Sequence, residues 1–244
     1  PPPPPPPPPP TPPPPPPPTD HTTSDISSAA SDVYKRQRPA RLVDAAGEPL
    51  DPARLEVGRS YVFHYPYVAT PCFLIDLGRP VKGQDGLETE DGEAYRWQGG
   101  VGPNRSIVAF SAICAHRMSY PTRKVSFIKY HHDKPGNTST GWNSATKEGV
   151  IHCCSEGSVY DPAEGAKVLA GPARQPLAAV ELNVDTTGAL TAAGTYGGDM
   201  FDRFFAEFEF QLMLQHGTDN VRQPVDGTTA VWALEDYSAN ERIC

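Results

Sequence analysis

The chain has 244 residues, with 21 Lys and Arg against 29 Asp and Glu and a formal net charge of −8 with histidine neutral. That balance argues against nucleic acid or an anionic membrane surface as partner, because either favours a basic face. With only five cysteines the chain is not a disulfide scaffold, and its compartment cannot be read from them.

Most of the 30 prolines fall between Pro1 and Pro18, a tract that forms an extended polyproline helix without a core. Asp32-Val33-Tyr34-Lys35-Arg36-Gln37 can be encoded by the end sequence of a transposon used to build sequencing libraries. Residues 1–37 are therefore expected to be an artefactual junction or a natural disordered leader, with folding from near Arg38. The rest suits one domain with embellishments. No apolar run reaches the roughly 18–20 residues of a membrane span. The best candidate, Tyr61 to Leu77, is interrupted by His64, Pro66, Pro71 and Asp76.

Tyr61-Val62-Phe63-His64-Tyr65 and Cys72-Phe73-Leu74-Ile75-Asp76-Leu77 are aromatic and β-branched runs, read as strands. Cys72 lies among apolar neighbours, as a buried free thiol does. Gly78 to Gly102 reads as a solvated loop around a short segment at Tyr95-Arg96-Trp97. Ile107-Val108-Ala109-Phe110 is a strand that delivers Cys114-Ala115-His116. A long connection follows, with Lys129-Tyr130-His131-His132-Asp133 and a Pro135-Gly136-Asn137 turn, up to Trp142 and Asn143. Its histidines read as solvated surface, and such an insertion covers a functional centre or meets a partner. Val150-Ile151 leads strand-wise into His152-Cys153-Cys154-Ser155-Glu156-Gly157-Ser158-Val159-Tyr160-Asp161. Pro176 to Val184 and Leu190 to Tyr196 complete a hairpin. Asp199 is placed to cap a helix whose Phe201, Phe204, Phe205, Phe208 and Leu212 form one apolar face, expected to pack on the domain's own sheet ahead of the alternative, docking into a larger complex. The tail 217–244 reads as loop, with one short strand at Val231-Trp232-Ala233.

Two loops with Cys and His at short spacing suit zinc or an iron–sulfur cluster, since thiolate and imidazole bind those metals. Spacing alone leaves the two open. The flanking residues are more specific. Cys114 and His116 match a Cys-x-His box. Cys153, Gly157, Ser158, Tyr160 and Asp161 match Cys-x-x-His-Gly-Ser-x-Tyr-Asp, and Gly171, Pro172 and Leu177 match a Gly-Pro-x-x-x-x-Leu covering loop. Over roughly residues 107–190 the chain thus resembles the Rieske iron–sulfur family, with Glu156 where the second box has its histidine.

The resemblance implies an all-β, antiparallel Rieske-like sandwich over 38–196 with an inserted cluster-binding subdomain, to which the helical spacing adds an amphipathic helix at 197–216 and a tail at 217–244. It implies a [2Fe-2S] cluster held by Cys114, His116 and Cys153, with Glu156 at the place of the fourth ligand and Ser158, Tyr160, Gly171 and Pro172 around it. The disulfide that some members place between the boxes would fall at Ser119 and Ser155, so both halves of it are missing. Glu156 is open to three readings: a carboxylate ligand, a bystander replaced by His152 or Cys154, or a mark of a lost cluster. The function implied is one-electron transfer in a respiratory oxidoreductase, with a redox partner protein or larger complex and no catalytic residue of its own. Against it stands an assembly module without a cluster. The family's location is periplasmic or on the outer face of an energy-transducing membrane.

Overall fold

A computed structural model of the chain describes residues 1–2, 34–133 and 148–241. Residues 3–33 of the leader, the Pro135–Asn137 turn, Trp142 and Asn143 lie outside the described residues. Strand β1 (Tyr34–Val43) is followed by β2 (Ser60–His64), β3 (Pro71–Asp76), the hairpin β4 (Lys82–Glu88) and β5 (Ala94–Gly99), and β6 (Ile107–Ser111). A second group comprises β7 (Ile128–His131), β8 (Val150–Cys153), β9 (Ser158–Asp161) and β10 (Lys167–Ala170). Then come β11 (Ala179–Val184), β12 (Leu190–Tyr196), helix α1 (Met200–His216), β13 (Gly227–Ala230), β14 (Trp232–Ala233) and the short helix α2 (Leu234–Tyr237).

The base is an eight-stranded sheet ordered β13-β1-β12-β11-β6-β3-β2-β14, antiparallel except for the parallel β1–β13 pair. All six residues of β3 are buried, and their side chains alternate between two cores as the strand period of two requires. Cys72 and Leu74 enter one core with Leu42, Phe63, Val180, Leu190 and Ala192, while Phe73 and Ile75 enter the other. Strands from distant positions of the sheet share the first core, so the sheet curls over itself in sandwich fashion. As expected, Cys72 is a free, fully buried thiol, and burial holds its proton well above the usual thiol range.

β6 and β11 are neighbours in the base sheet, yet residues 112–178 separate them in sequence. Those residues build a four-stranded sheet ordered β10-β9-β8-β7. The inserted subdomain and the C-terminal helix are the all-β architecture expected from the sequence. The apolar face of α1 packs on the domain itself: Phe204 meets Tyr120 edge-on at 5.0 Å and Phe205 meets Tyr67 at 5.4 Å between ring centres.

Several local expectations are corrected. β1 begins at Tyr34, four residues before Arg38, because Tyr34, Lys35 and Arg36 pair with Tyr196, Thr195 and Gly194. Gly78–Gly102 is largely a hairpin, which buries Leu87, Tyr95 and Trp97. Asp199 makes no side-chain cap, since its carboxylate pairs with Lys35 instead. Within the connection between the boxes, β7 pairs with β8, and His131 is half-buried rather than solvated.

Candidate metal centre

The first loop leaves the end of β6 through buried Ala112 and Ile113 and turns sharply at Cys114. The Met118 N–H donates to the Cys114 carbonyl at 2.9 Å, and Met118 takes a left-handed φ of 54°. The second loop leaves β8 at Cys153 and repeats the turn: the Gly157 N–H donates to the Cys153 carbonyl at 2.8 Å, with φ 75°. Each turn folds its own amides onto its thiol. Cys114 Sγ accepts from the N–H groups of His116 and Arg117, and Cys153 Sγ accepts from those of Ser155 and Glu156. Such donors stabilise a thiolate in a buried site.

Both thiols are fully buried, free and hydrogen-bonded to each other. The bond from the Cys153 thiol, helped by Tyr160 and the amides, holds Cys114 down to about 6 against the desolvation that opposes it. The Cys153 thiol, which donates that bond and is buried as well, is pushed well above its ordinary range.

Tyr160, on β9, ties the first loop to the second sheet. Its hydroxyl accepts the Ala115 N–H at 3.1 Å and lies 3.4 Å from Cys114 Sγ. Burial, then the nearby Cys114 charge, raises the phenol well above its ordinary range, so it stays protonated. Ser158 is fully buried, and its hydroxyl accepts the Ala173 N–H of the covering loop at 3.3 Å. Gly171 is required there: a Cβ would stand 2.5 Å from both the Gly157 carbonyl oxygen and Ser158 Cα, and its φ is +87°. Pro172 is exposed, while Leu177 is fully buried.

His116 rises from the first turn half-buried, and its Nδ1 is buried with no hydrogen-bond partner among the described residues. An imidazole nitrogen left bare inside a protein is costly unless a ligand meets it. Glu156, by contrast, is exposed. His152, buried on β8, alternates with Cys153 and lies 6.1 Å from His131, ring centre to ring centre. Cys154 is disulfide-bonded, which removes it as a substitute ligand. Among the described residues no group of three or more His, Cys, Asp and Glu lies close enough to hold a metal ion. The fold thus brings Cys114, Cys153 and Tyr160 together, with His116 on the same turn, and leaves the Glu156 carboxylate outside.

Sequence reasoning missed the twofold repetition of roles in the two turns, in which two backbone amides of each turn reach its sulfur. The Gly157 position was the visible signal for it, since Gly tolerates left-handed φ. His131, half-buried beside His152, also went unseen, because its neighbours Lys129 and Asp133 mark a polar surface.

No family model matches the chain. Among solved structures it is similar to the soluble domain of the Rieske protein II (soxF) from Sulfolobus acidocaldarius, with 27% sequence identity and a TM-score of 0.44. That likeness covers 65% of this chain and 78% of the other. No helix among the described residues is long and apolar enough to cross a membrane.

Proposed function

We propose that this chain is a Rieske-type [2Fe-2S] electron-transfer protein, or the corresponding subunit of a respiratory oxidoreductase, acting with a redox partner protein or a larger complex. The observation that carries the reading is the pair of buried, mutually hydrogen-bonded thiols, each under two backbone N–H groups, beside the unpartnered Nδ1 of His116. By type and by place in the two turns these residues match three of the four ligands of such a centre: Cys114 and Cys153 would be the thiolates on one iron, and His116 an imidazole on the other. When bound, the cluster supplies a one-electron couple whose potential, with imidazole ligands, spans roughly −150 to +300 mV.

The chain's own residues do the rest. The four amides and the Tyr160 hydroxyl offset negative charge at the sulfurs, which favours the reduced state and raises the potential. Gly171 lets the covering loop press against the second box, which keeps water from the buried thiols. For the fourth position we favour Glu156, which lies on the second turn and would have to swing inward from solvent. A carboxylate there lowers the potential relative to a second imidazole. It also leaves His116 as the one imidazole to titrate, so the potential varies less with pH. This suits electron relay better than quinol oxidation. In keeping with the same resemblance, we place the protein in the periplasm or on the outer face of an energy-transducing membrane.

Iron and labile-sulfide analysis of the anaerobically purified or reconstituted protein tests the reading, with two of each per chain as the expected result. Glu156→His should then give a two-histidine spectrum and a higher potential, whereas an unchanged cluster in Glu156→Ala would remove Glu156 from the ligand set. The exposure of Glu156 favours a second reading, an assembly module that has lost its cluster. Absence of iron after reconstitution would establish it over the first.

A further inference from the structure

A cavity of about 840 Å3 opens between α1, the segment after the first loop and the tip of the second loop. Its size falls within the roughly 300–1,000 Å3 of small-molecule sites. Both metal-site loops reach its wall. Ser119, whose carbonyl accepts the Cys114 N–H at 2.9 Å, lines it, and so does Ser155, whose N–H donates to Cys153 Sγ.

The wall combines aromatic rings with fixed positive charge. Tyr120 meets Phe208 edge-on at 5.4 Å, and its hydroxyl is fixed between Gln211 and Gln215, each at 3.1 Å. The Arg123 guanidinium carbon lies 4.3 Å from the centre of the Tyr237 ring, and Lys124 follows it along the wall. No Asp or Glu appears among the described lining residues, although the chain as a whole carries −8. His64 and His216 also line the cavity, 5.3 Å apart between ring centres. Burial lowers both, His64 to about 3, so at neutral pH they offer hydrogen bonds and Arg123 and Lys124 supply the charge.

We propose that this cavity binds a small aromatic carboxylate, with its ring against Tyr120 and Phe208 and its carboxylate on Arg123. A planar guanidinium grips a carboxylate with two parallel hydrogen bonds, and aromatic side chains favour a flat ring over a bare oxyanion. The walls are protein throughout, so the proposal stands or falls independently of whether iron is bound.

Titration calorimetry of the full chain with benzoate, benzamide and inorganic phosphate tests it, on samples with and without iron. The expected result is saturable binding of one benzoate, with benzamide and phosphate each about tenfold weaker or worse, for want of the charge or the ring. Arg123→Gln should weaken benzoate by about tenfold or more, the scale of a lost charge-assisted pair. Gln211→Trp, at an exposed position of α1 that crowds the cavity, should block it while Arg123 stays intact, which guards against misfolding of the first variant. Benzamide binding as tightly as benzoate, no saturable benzoate binding at millimolar ligand, or unchanged affinity in folded Arg123→Gln and Gln211→Trp would each overturn the proposal.

Discussion

The loop that starts at Cys114 and the loop that starts at Cys153 have the same backbone and different side chains. In both, the amides two and three residues after the cysteine point at its sulfur, and the amide four residues on closes the turn onto the cysteine carbonyl. The first loop then offers His116, with a bare buried nitrogen, whereas the second offers Glu156, which faces solvent. The comparison separates two tasks. The amide contacts to each sulfur come from main-chain geometry that the two turns share, while the Cys153 thiol and the Tyr160 hydroxyl do most to hold Cys114 as a thiolate. Completing a metal site depends on one side chain per loop, and a single substitution there changes the chemistry without disturbing the turn.

The largest effect should come from the part that is equal. Cys114→Ala and Cys153→Ala should each abolish iron binding outright, by iron and sulfide analysis, whereas retention in one variant would show that the loops are not equivalent. Gly171→Ala acts on the second loop alone. Its methyl would meet the backbone at 2.5 Å, at a cost of about 1–3 kcal/mol for overpacking and about 1–2 kcal/mol for a left-handed φ. Chemical denaturation should show that loss. Tyr160→Phe acts on the first loop, leaving the buried Ala115 N–H without its acceptor, and the penalty should be about 1–3 kcal/mol. It should also lower the potential, which separates it from Gly171→Ala.

The smallest expected effect is a difference in acid sensitivity. Burial, and to a lesser extent Lys129 and His152, lowers His131 on β7 from its ordinary 6.5 to about 4. A depressed folded value means that the neutral ring favours folding above pH 6.5 and that this contribution is lost as the pH falls through about 4. β8, which pairs with β7, should therefore lose amide protection in that window before residues 114–118 do. His131→Gln should remove the difference.

The sequence reveals most where both faces of a strand are buried. Tyr61–Tyr65, Cys72–Leu77 and Ile107–Phe110 are dense in apolar and β-branched residues, and each proved to lie in the base sheet. The helix showed itself through phenylalanines at helical spacing, four residues of which face are buried with Met200. β4 could not be read, because Lys82–Glu88 buries Leu87 alone and so has no alternation. β7 was hidden by charged neighbours, although Ile128 and Tyr130 do alternate inward. At the site, ligand types and box spacing were visible in the residues themselves. The amides over the sulfurs belong to no side chain, and the outward position of Glu156 depends on packing that spacing does not encode.

The insertion has a consequence for how this architecture can be built and altered. The two ends of segment 112–178 meet, since the Ser111 N–H donates to the Ala178 carbonyl at 2.7 Å and the Ala178 N–H donates to the Ser111 hydroxyl at 3.1 Å. Chain enters and leaves the small sheet through one doorway, as it does where one domain has been spliced into a loop of another. Segment 112–178 is therefore an insertion at a single point of the base sheet. It still shares one core with the base sheet, since Ile128, Ile151 and Tyr160 lie in the same cluster as Phe73, Ile75 and Phe110, so a change to its inward-facing residues is felt by β3 and β6.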